Sequence, residues 1–473
     1  MATSRRDFLR TGACALGSMA LASNLESFGT VQALTPQTAT DYKALVCIFL
    51  NGGNDGNNML VSLDQYNGPQ GSTTEGYFNV RNPAGLALAQ ASLLPVSPLS
   101  GGSYGIHPNM PEMQGLFNQG RLAIVCNVGP LVEPLSRTTY QNGTGKRPLQ
   151  LFSHSDQVGL FHTAIADSVS QTGWGGRVAD RTVTLNGAAT FPQNVSIAGI
   201  NLILTGANTR QLAIADSNTP LSSVLPLTMS GTASEVSSRR TSFDYLRGLD
   251  LNVQLIKAAS DTRSSALQTR QALASVNPVI NTAFPNTSVG RQLLQIARVI
   301  KASIDPAAGI NMKRQIFFAS IGGFDTHANQ RGGGQDTLLL QVSQAMKAFY
   351  DATVELAVQN NVTSFTLSDF GRTLQPAGSG AAVGSDHAWG NHHLILGGAV
   401  IGGTLYGTYP ILRLGGPDDT DGGSNPRGRW IPTISVEQYA ATLATWYGLS
   451  PSDLSEVFPL IGRFATANLG FMM

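Results

Sequence analysis

The stretch that decides the fold is Gln315-Ile-Phe-Phe-Ala-Ser-Ile321, the segment Asp336–Gln359, and Val362-Thr-Ser-Phe-Thr-Leu367. The first and last pieces are short apolar, β-rich runs that stop at Gly or a polar turn, as buried strands do. The middle piece places Leu339, Val342, Met346, Phe349 and Tyr350 at the spacing of one helix face. Strand, helix and strand at this distance form a βαβ unit, which implies a parallel sheet. Working outward, Lys43–Leu50 and Arg121–Val128 read as two more strands of that sheet. Pro111–Asn118 reads as a helix with Pro in its first turn and Gly120 as its stop. Ser435 with Gln438 reads as a capping box opening a last helix through Tyr447. Residues 185–310 differ in character. They are Ser/Thr/Asn-rich, with β-like pieces over Val195–Leu204, a helical tract over Ser234–Ala274 and a helix near Arg291–Ser303. We expect them to be an insertion or cap on the main sheet.

Composition narrows the class. The chain has 473 residues, enough for one large α/β domain with an insertion. Charged residues are 12% of it, against about 25% in an average domain. The formal net charge of +1 lacks the basic excess of a nucleic-acid protein. No run of 18 apolar residues is present, so no bilayer span is expected in the mature chain.

The N-terminus addresses the protein. Ser4-Arg5-Arg6-Asp7-Phe8-Leu9 followed by the apolar stretch Ala13–Ala22 reads as a twin-arginine export signal. Val31-Gln32-Ala33 offers a cleavage site, which makes residues 1–33 a signal peptide and 34–473 the mature domain. The expected location is periplasmic or extracellular, with the twin-arginine export machinery as a partner. Cys47 and Cys126 each sit inside an apolar run and read as buried thiols, although one disulfide between them is conceivable in an oxidising compartment.

The placement of the acids carries the functional reading. The first strand runs into Asn51-Gly-Gly-Asn-Asp55, the third into Gly322-Gly-Phe-Asp325-Thr-His327, and the fourth into Ser368-Asp369-Phe-Gly-Arg372. Ligands of open parallel sheets bind outside the carboxyl ends of the strands. Asp55, Asp325 and Asp369 are therefore expected to converge in a chain where charge is scarce. Converging carboxylates repel one another unless protonated or bound to a cation. With His327 and the pair Asp386-His387 nearby, one or two divalent ions (Zn, Mn, Ca or Mg) are the economical solution. Arg372 beside them reads either as a structural ion-pair donor to one of these acids or as a clamp on an oxyanion. Ser153-His154-Ser155 opens a predicted helix. Ser153 is the first candidate nucleophile and Ser155 the second, although a Ser there also reads as a helix N-cap.

These motifs occur in a specific order along nearly the whole mature chain. Phe49-Leu-Asn-Gly-Gly-Asn-Asp-Gly-Asn-Asn58, His107-Pro-Asn, Ser153-His154, Gly173-Trp-Gly-Gly-Arg177, Gly323-Phe-Asp-Thr-His327, Ser368-Asp-Phe-Gly-Arg-Thr373, Ser385-Asp-His-Ala-Trp-Gly390 and Gly402-Gly-Thr-Leu-Tyr-Gly407 resemble the bacterial "domain of unknown function 1501" proteins. That family is grouped with the alkaline phosphatase, sulfatase and phosphomutase superfamily. The resemblance implies a three-layer α/β/α sandwich with a mainly parallel central sheet. Laid on this chain, the superfamily's metal pattern implies Asp55 and Asp369 as acidic ligands, Asp325 with His327 as another element, and His387 as the final loop His. The pattern departs at Phe370, where many members place a second-metal His. Alternatively, Asp386-His387 is that pair, which leaves the final His to His392 or His393. The family has no generally assigned substrate.

The function expected is an exported metal-dependent hydrolase of a phosphate, sulfate or related anionic ester, on a small molecule or a polymer. Ser153 or water activated by the ion would attack, and Arg372 would stabilise the developing charge. The alternative is an exported binding or assembly protein that keeps the fold without the chemistry. No Cys is placed to become a formylglycine, which disfavours a typical sulfatase mechanism.

Overall fold

The computed structural model describes residues 38–225, 232–249, 251–274, 276 and 278–473. The expected export signal, residues 1–33, lies outside them. Fourteen strands follow in chain order: β1 (Lys43–Leu50), β2 (Leu60–Ser62), β3 (Leu94–Val96), β4 (Tyr104–Ile106), β5 (Leu122–Gly129), β6 (Asn194–Ser196), β7 (Gln211–Ala213), β8 (Arg314–Ile321), β9 (Val362–Ser368), β10 (Arg372–Ala377), β11 (Gly384–His387), β12 (Asn391–Gly397), β13 (Leu405–Tyr406) and β14 (Ile434–Ser435). Nine of them build one sheet in the order β13-β5-β12-β9-β1-β8-β6-β7, with β14 beside β5. Every pairing in that sheet is parallel except those of β12, which runs against both β5 and β9.

The alternation along β1 separates two cores. Ala44, Val46, Ile48 and Leu50 face the helices Pro111–Asn118, Ser288–Ile304 and Gln335–Glu355. Leu45, Cys47 and Phe49 face the helices His154–Thr163, Trp174–Thr182 and Val436–Tyr447. The result is an α/β/α sandwich. Cys47 and Cys126 belong to opposite faces and both are free thiols. The sheet stands between them, which rules out the disulfide.

The sequence-predicted strands and helices are present, with instructive differences. The long helix stops at Glu355 rather than Gln359, because Ala357 takes a left-handed conformation at φ 55°. The tract Ser234–Ala274 is two helices, Ala233–Arg247 and Gln254–Ala274, and Gly248 closes the first. Within Val195–Leu204 only the start is strand. β6 joins the main sheet beside β8, and Leu202–Leu204 is a single 3-10 turn. Among the described residues no helix is long and apolar enough to cross a membrane.

Register places the functional edge. Leu50, the last residue of β1, pairs with Ile321 at the end of β8 and with Ser368 at the end of β9. The segments that follow these three strands therefore emerge side by side. Because β12 is reversed, its first residue Asn391 lies at this same edge, opposite Val128 near the end of β5. The residues leading into β12 thus come to the edge that receives the ends of its neighbours.

One buried acid gives a stability test. Glu437, in the first turn of Val436–Tyr447, accepts from the Leu460 amide at 3.0 Å, and its other oxygen has no partner. Burial pushes its carboxyl from 4.5 up to about 8. The folded chain thus holds a proton that the unfolded chain releases above pH 4.5. Its contribution is full below that pH and is lost as pH rises to about 8. Glu437→Gln should remove this slope, so that its stability relative to the wild type improves by up to about 4 kcal/mol between pH 5 and 8. Urea unfolding at both pH values measures it.

Candidate metal centre

The group at the edge is built from three imidazoles around one carboxylate. Asp325 follows β8 through Gly322 and Gly323, and His327 lies two residues on. His387 ends β11. His154 is the first residue of the helix His154–Thr163. Asp325 Oδ1 lies 3.2 Å from His327 Nε2, 3.4 Å from His154 Nε2 and 3.6 Å from His387 Nε2. Ligand atoms of His154, Asp325 and His387 all fall within 4.8 Å of one another. Ligands about 2.0–2.1 Å from a tetrahedral zinc stand roughly 3.3 Å apart, so the separations from Asp325 match such a shell.

Each ring is turned by a partner on its other nitrogen. His154 Nδ1 meets Asp369 Oδ2 at 2.8 Å, His327 Nδ1 meets Asp386 Oδ1 at 3.0 Å, and His387 Nδ1 meets the Phe152 carbonyl at 2.8 Å. A carbonyl or carboxylate only accepts, so each Nδ1 carries a hydrogen and each ring turns its Nε2 inward. His327 Nε2 and His387 Nε2 lie 2.8 Å apart, a repulsive approach for two lone pairs. A proton on His327 would relieve that pair, but His154 Nε2 remains buried without a partner. A cation held by His154, Asp325 and His387 would give that nitrogen a partner.

The electrostatics favour the ligating forms. Burial pushes the Asp325 carboxyl up, but the Arg372 hydrogen bond and charge outweigh it, with help from His327 and His154, and hold it below the ordinary carboxylate value. Burial likewise raises Asp386, and His327 and Arg427 more than reverse that. Burial lowers His387 despite its bond to the Phe152 carbonyl, and the charges of His154, Arg372 and His327 lower it further. Phe152 itself holds φ 71°, a strained conformation for a residue with a side chain.

Several sequence-predicted residues take other places. Asp55 is not in the group. It is fully buried, and Arg81 binds both its oxygens at 2.6 and 3.1 Å. The Asn57 amide and Gln330 Nε2 also donate to it, which leaves no free face for an ion. Asp369 and Asp386 stand one bond behind the imidazoles rather than among the inward-facing atoms. Asp369 Oδ1 is taken by the Gly52 amide and Asp386 Oδ2 by Arg427. Gly52 needs its φ of 115°, and a Cβ there would meet the Asp325 amide at 2.4 Å. Arg372 takes the place of a structural ion-pair donor to Asp325. Its guanidinium is buried and spends its donors on the carbonyls of Gly52, Gly53 and Ser385 and on Asp325.

Ser153 donates to Asp156 Oδ2 at 2.6 Å and lies 3.4 Å from Ser155 Oγ, contacts within the helix's own first turn. His154 between them turns its ring toward Asp369 and Asp325. His392 and His393 are buried in the core. His392 accepts from the Asn127 amide and stacks on Tyr409, while His393 packs on Phe161 and Tyr439. Phe370 lies against His154 and His387 at 4.7 and 4.6 Å, filling space where a further ligand would stand.

Sequence reasoning missed Arg427 and Arg429. Asp419, fully buried, accepts four backbone amides (Gly415, Asp421, Gly428 and Arg429) and so fixes their loop. Arg427 then reaches Asp386. Arg429 bonds the His387 carbonyl and lies 4.8 Å over the Phe152 ring. The only signal in the sequence was two Arg in a Gly/Asp-rich loop.

The sequence profile of the family described as "Protein of unknown function (DUF1501)" matches residues 42–416. The chain belongs to that family. Among curated proteins no sequence relative matches this DUF1501 chain. Three solved structures illustrate what its fold is similar to. The PsFucS1 sulfatase from Pseudoalteromonas sp. is 11% identical at a TM-score of 0.29, over 83% of this chain and 68% of that one. The C-terminal periplasmic domain of EcEptC from Escherichia coli, in complex with Zn, is 8% identical at 0.31, over 77% of each chain. The phosphonate monoester hydrolase of Agrobacterium radiobacter is 8% identical at 0.31, over 86% and 74%. Likenesses this distant do not bear on which reaction the DUF1501 protein performs.

The Asp55–Arg81 pair is testable on its own. Both side chains are fully buried, so Arg81→Met leaves a carboxylate without its counter-charge. The loss of folding stability should be about 3–5 kcal/mol, read by denaturant unfolding. Arg81→Met with Asp55→Asn should recover part of it.

Proposed function

We propose that this protein is an exported, metal-dependent hydrolase of an anionic ester, with one divalent ion held by Asp325 Oδ1 and the Nε2 atoms of His154, His327 and His387. The observation that carries this reading is the set of three imidazoles. Each is fixed through Nδ1 by an acceptor and faces the same carboxylate oxygen. Imidazole-rich donors favour zinc over calcium or magnesium. Arg81 already neutralises Asp55, which supports one ion rather than two. The twin-arginine reading of Arg5-Arg6 supplies the export route.

When bound, such an ion polarises an ester oxygen and lets water lose a proton near neutral pH. The chain's own residues do the rest. Asp369, Asp386 and the Phe152 carbonyl hold the three rings in the ligating tautomer. Asp325, Asp369 and Asp386 face Arg372 and Arg427, so the group carries one net negative charge, and a divalent ion turns it positive. Arg427 and Arg429 keep part of their side chains open to solvent at the rim. That field suits a phosphate or sulfate ester. Because Ser153 is engaged with Asp156, the reading takes water as the nucleophile.

A second reading has its own support. Asp55, Asp369 and Arg372 are closed off by protein partners, as in a scaffold that keeps a structural ion. One experiment separates the two. Purified full-length protein should contain about one equivalent of zinc by elemental analysis and hydrolyse aryl phosphates or sulfates. His387→Ala should lose both by at least tenfold, and Ser153→Ala should keep activity within a few-fold. Zinc retained without turnover would favour the scaffold. No metal in the wild-type protein would end the enzyme reading.

A further inference from the structure

Gln330 joins three parts of the site that are far apart in sequence. It is fully buried, between His327 and the helix Gln335–Glu355. Its Nε2 donates to Asp55 Oδ2 at 2.6 Å and to Gln335 Oε1 at 2.9 Å. Its Oε1 accepts from Ser385 Oγ at 2.6 Å, and its amide donates to the Val383 carbonyl at 3.0 Å. Both side-chain hydrogens and one oxygen lone pair are thereby committed, which leaves the amide one orientation. Ser385 immediately precedes Asp386 and His387, and His327 lies three residues before Gln330.

The anchor at the other end is tied in several directions. Asp55 is held by Arg81 through two bonds, and Arg81 also donates to Asn58 and to the carbonyls of Thr373 and Leu374. The Gly332–Gly334 side of the loop is fastened separately. Asp336 accepts from Arg331 and from the Gly332 amide, and it meets His107 at 3.1 Å. Between these fixed points, the segment carrying His327 is tied to the strand carrying His387 by the Ser385 amide, which donates to the Thr326 carbonyl at 3.1 Å, by His327 Nδ1 on Asp386, and by the Gln330 side chain, which alone extends the tie to Asp55.

We infer that Gln330 is a positioning residue that transmits the place of the buried Asp55–Arg81 pair to both imidazoles, His327 and His387, and so sets the geometry of the metal shell. Asp55 then serves the centre without touching it. This inference rests on the metal reading above. It adds that the shell's geometry is set from inside the protein by an amide bridge that contributes no ligand atom.

The test uses full-length protein stripped with a chelator and titrated with Co2+, whose visible absorption reports ligand geometry. Wild-type protein should take up cobalt with an intense tetrahedral-type band. Gln330→Met, of similar length but without the amide, should bind cobalt roughly tenfold more weakly with a displaced band. Ser385→Ala, which removes only the bond at Gln330 Oε1, should move both readouts in the same direction by less. Loss of melting temperature with unchanged cobalt affinity and band in both variants would reduce Gln330 to a purely structural role and overturn the inference, while the metal reading stands. If Gln330→Met does not fold, Ser385→Ala decides alone: an unchanged affinity and band overturn the inference. Wild-type protein that takes up no cobalt would remove the metal reading, and this inference with it.

Discussion

A carboxylate sealed from water must find its counter-charge within the protein, and Asp55 finds it in Arg81. The pair sits directly beyond the end of β1, the strand flanked by β8 and β9 in the middle of the sheet. It fixes the turn from Asn51 to Asn58, whose backbone in turn bonds Asp369 and Arg372. Much of the edge is thus organised around one neutralised acid. The part-exposed carboxylate, Asp325, shares Arg372 with three backbone carbonyls and still faces three imidazoles.

The site divides its labour between two rows. The inward row is imidazole nitrogen and one carboxylate oxygen. The outer row is acceptor only: Asp369, Asp386 and the Phe152 carbonyl. Had the acids stood in the inward row, their repulsion would have required more than one cation or a proton to offset it. Moving them back by one ring keeps their charge useful while lowering the density of negative charge at the centre. Arg427 and Arg429, delivered by the loop that Asp419 organises, brace this outer row from the far side.

The fold was legible because burial writes itself into composition. β1, β5, β8 and β9 are runs of apolar residues long enough to be strands and too short to be helices. The helix between β8 and β9 forced them parallel. Asp325, His327 and His387 could be named because strand ends and Gly-flanked acids are visible in one dimension. For Asp55, Asp369 and Arg372 the sequence offers both a structural role and a functional one and does not choose between them. Whether an acid at a strand end faces an ion, an arginine or an amide depends on partners such as Arg81 and Gly52, which no local pattern announces. Gln330 was invisible for the same reason: an uncharged amide in a Gly-rich loop has no chemistry until its four partners surround it. The Cys47–Cys126 question was decidable only once the two strands had been given faces.

The reversed strand β12 has a consequence for timing. It brings the residues before Asn391 to the same edge as those after Leu50, Ile321 and Ser368, while His154 meets an aspartate 215 positions away. The corners of the group are thus distributed through the chain, and each pairing that brings them together is a long-range contact of the kind that slows folding.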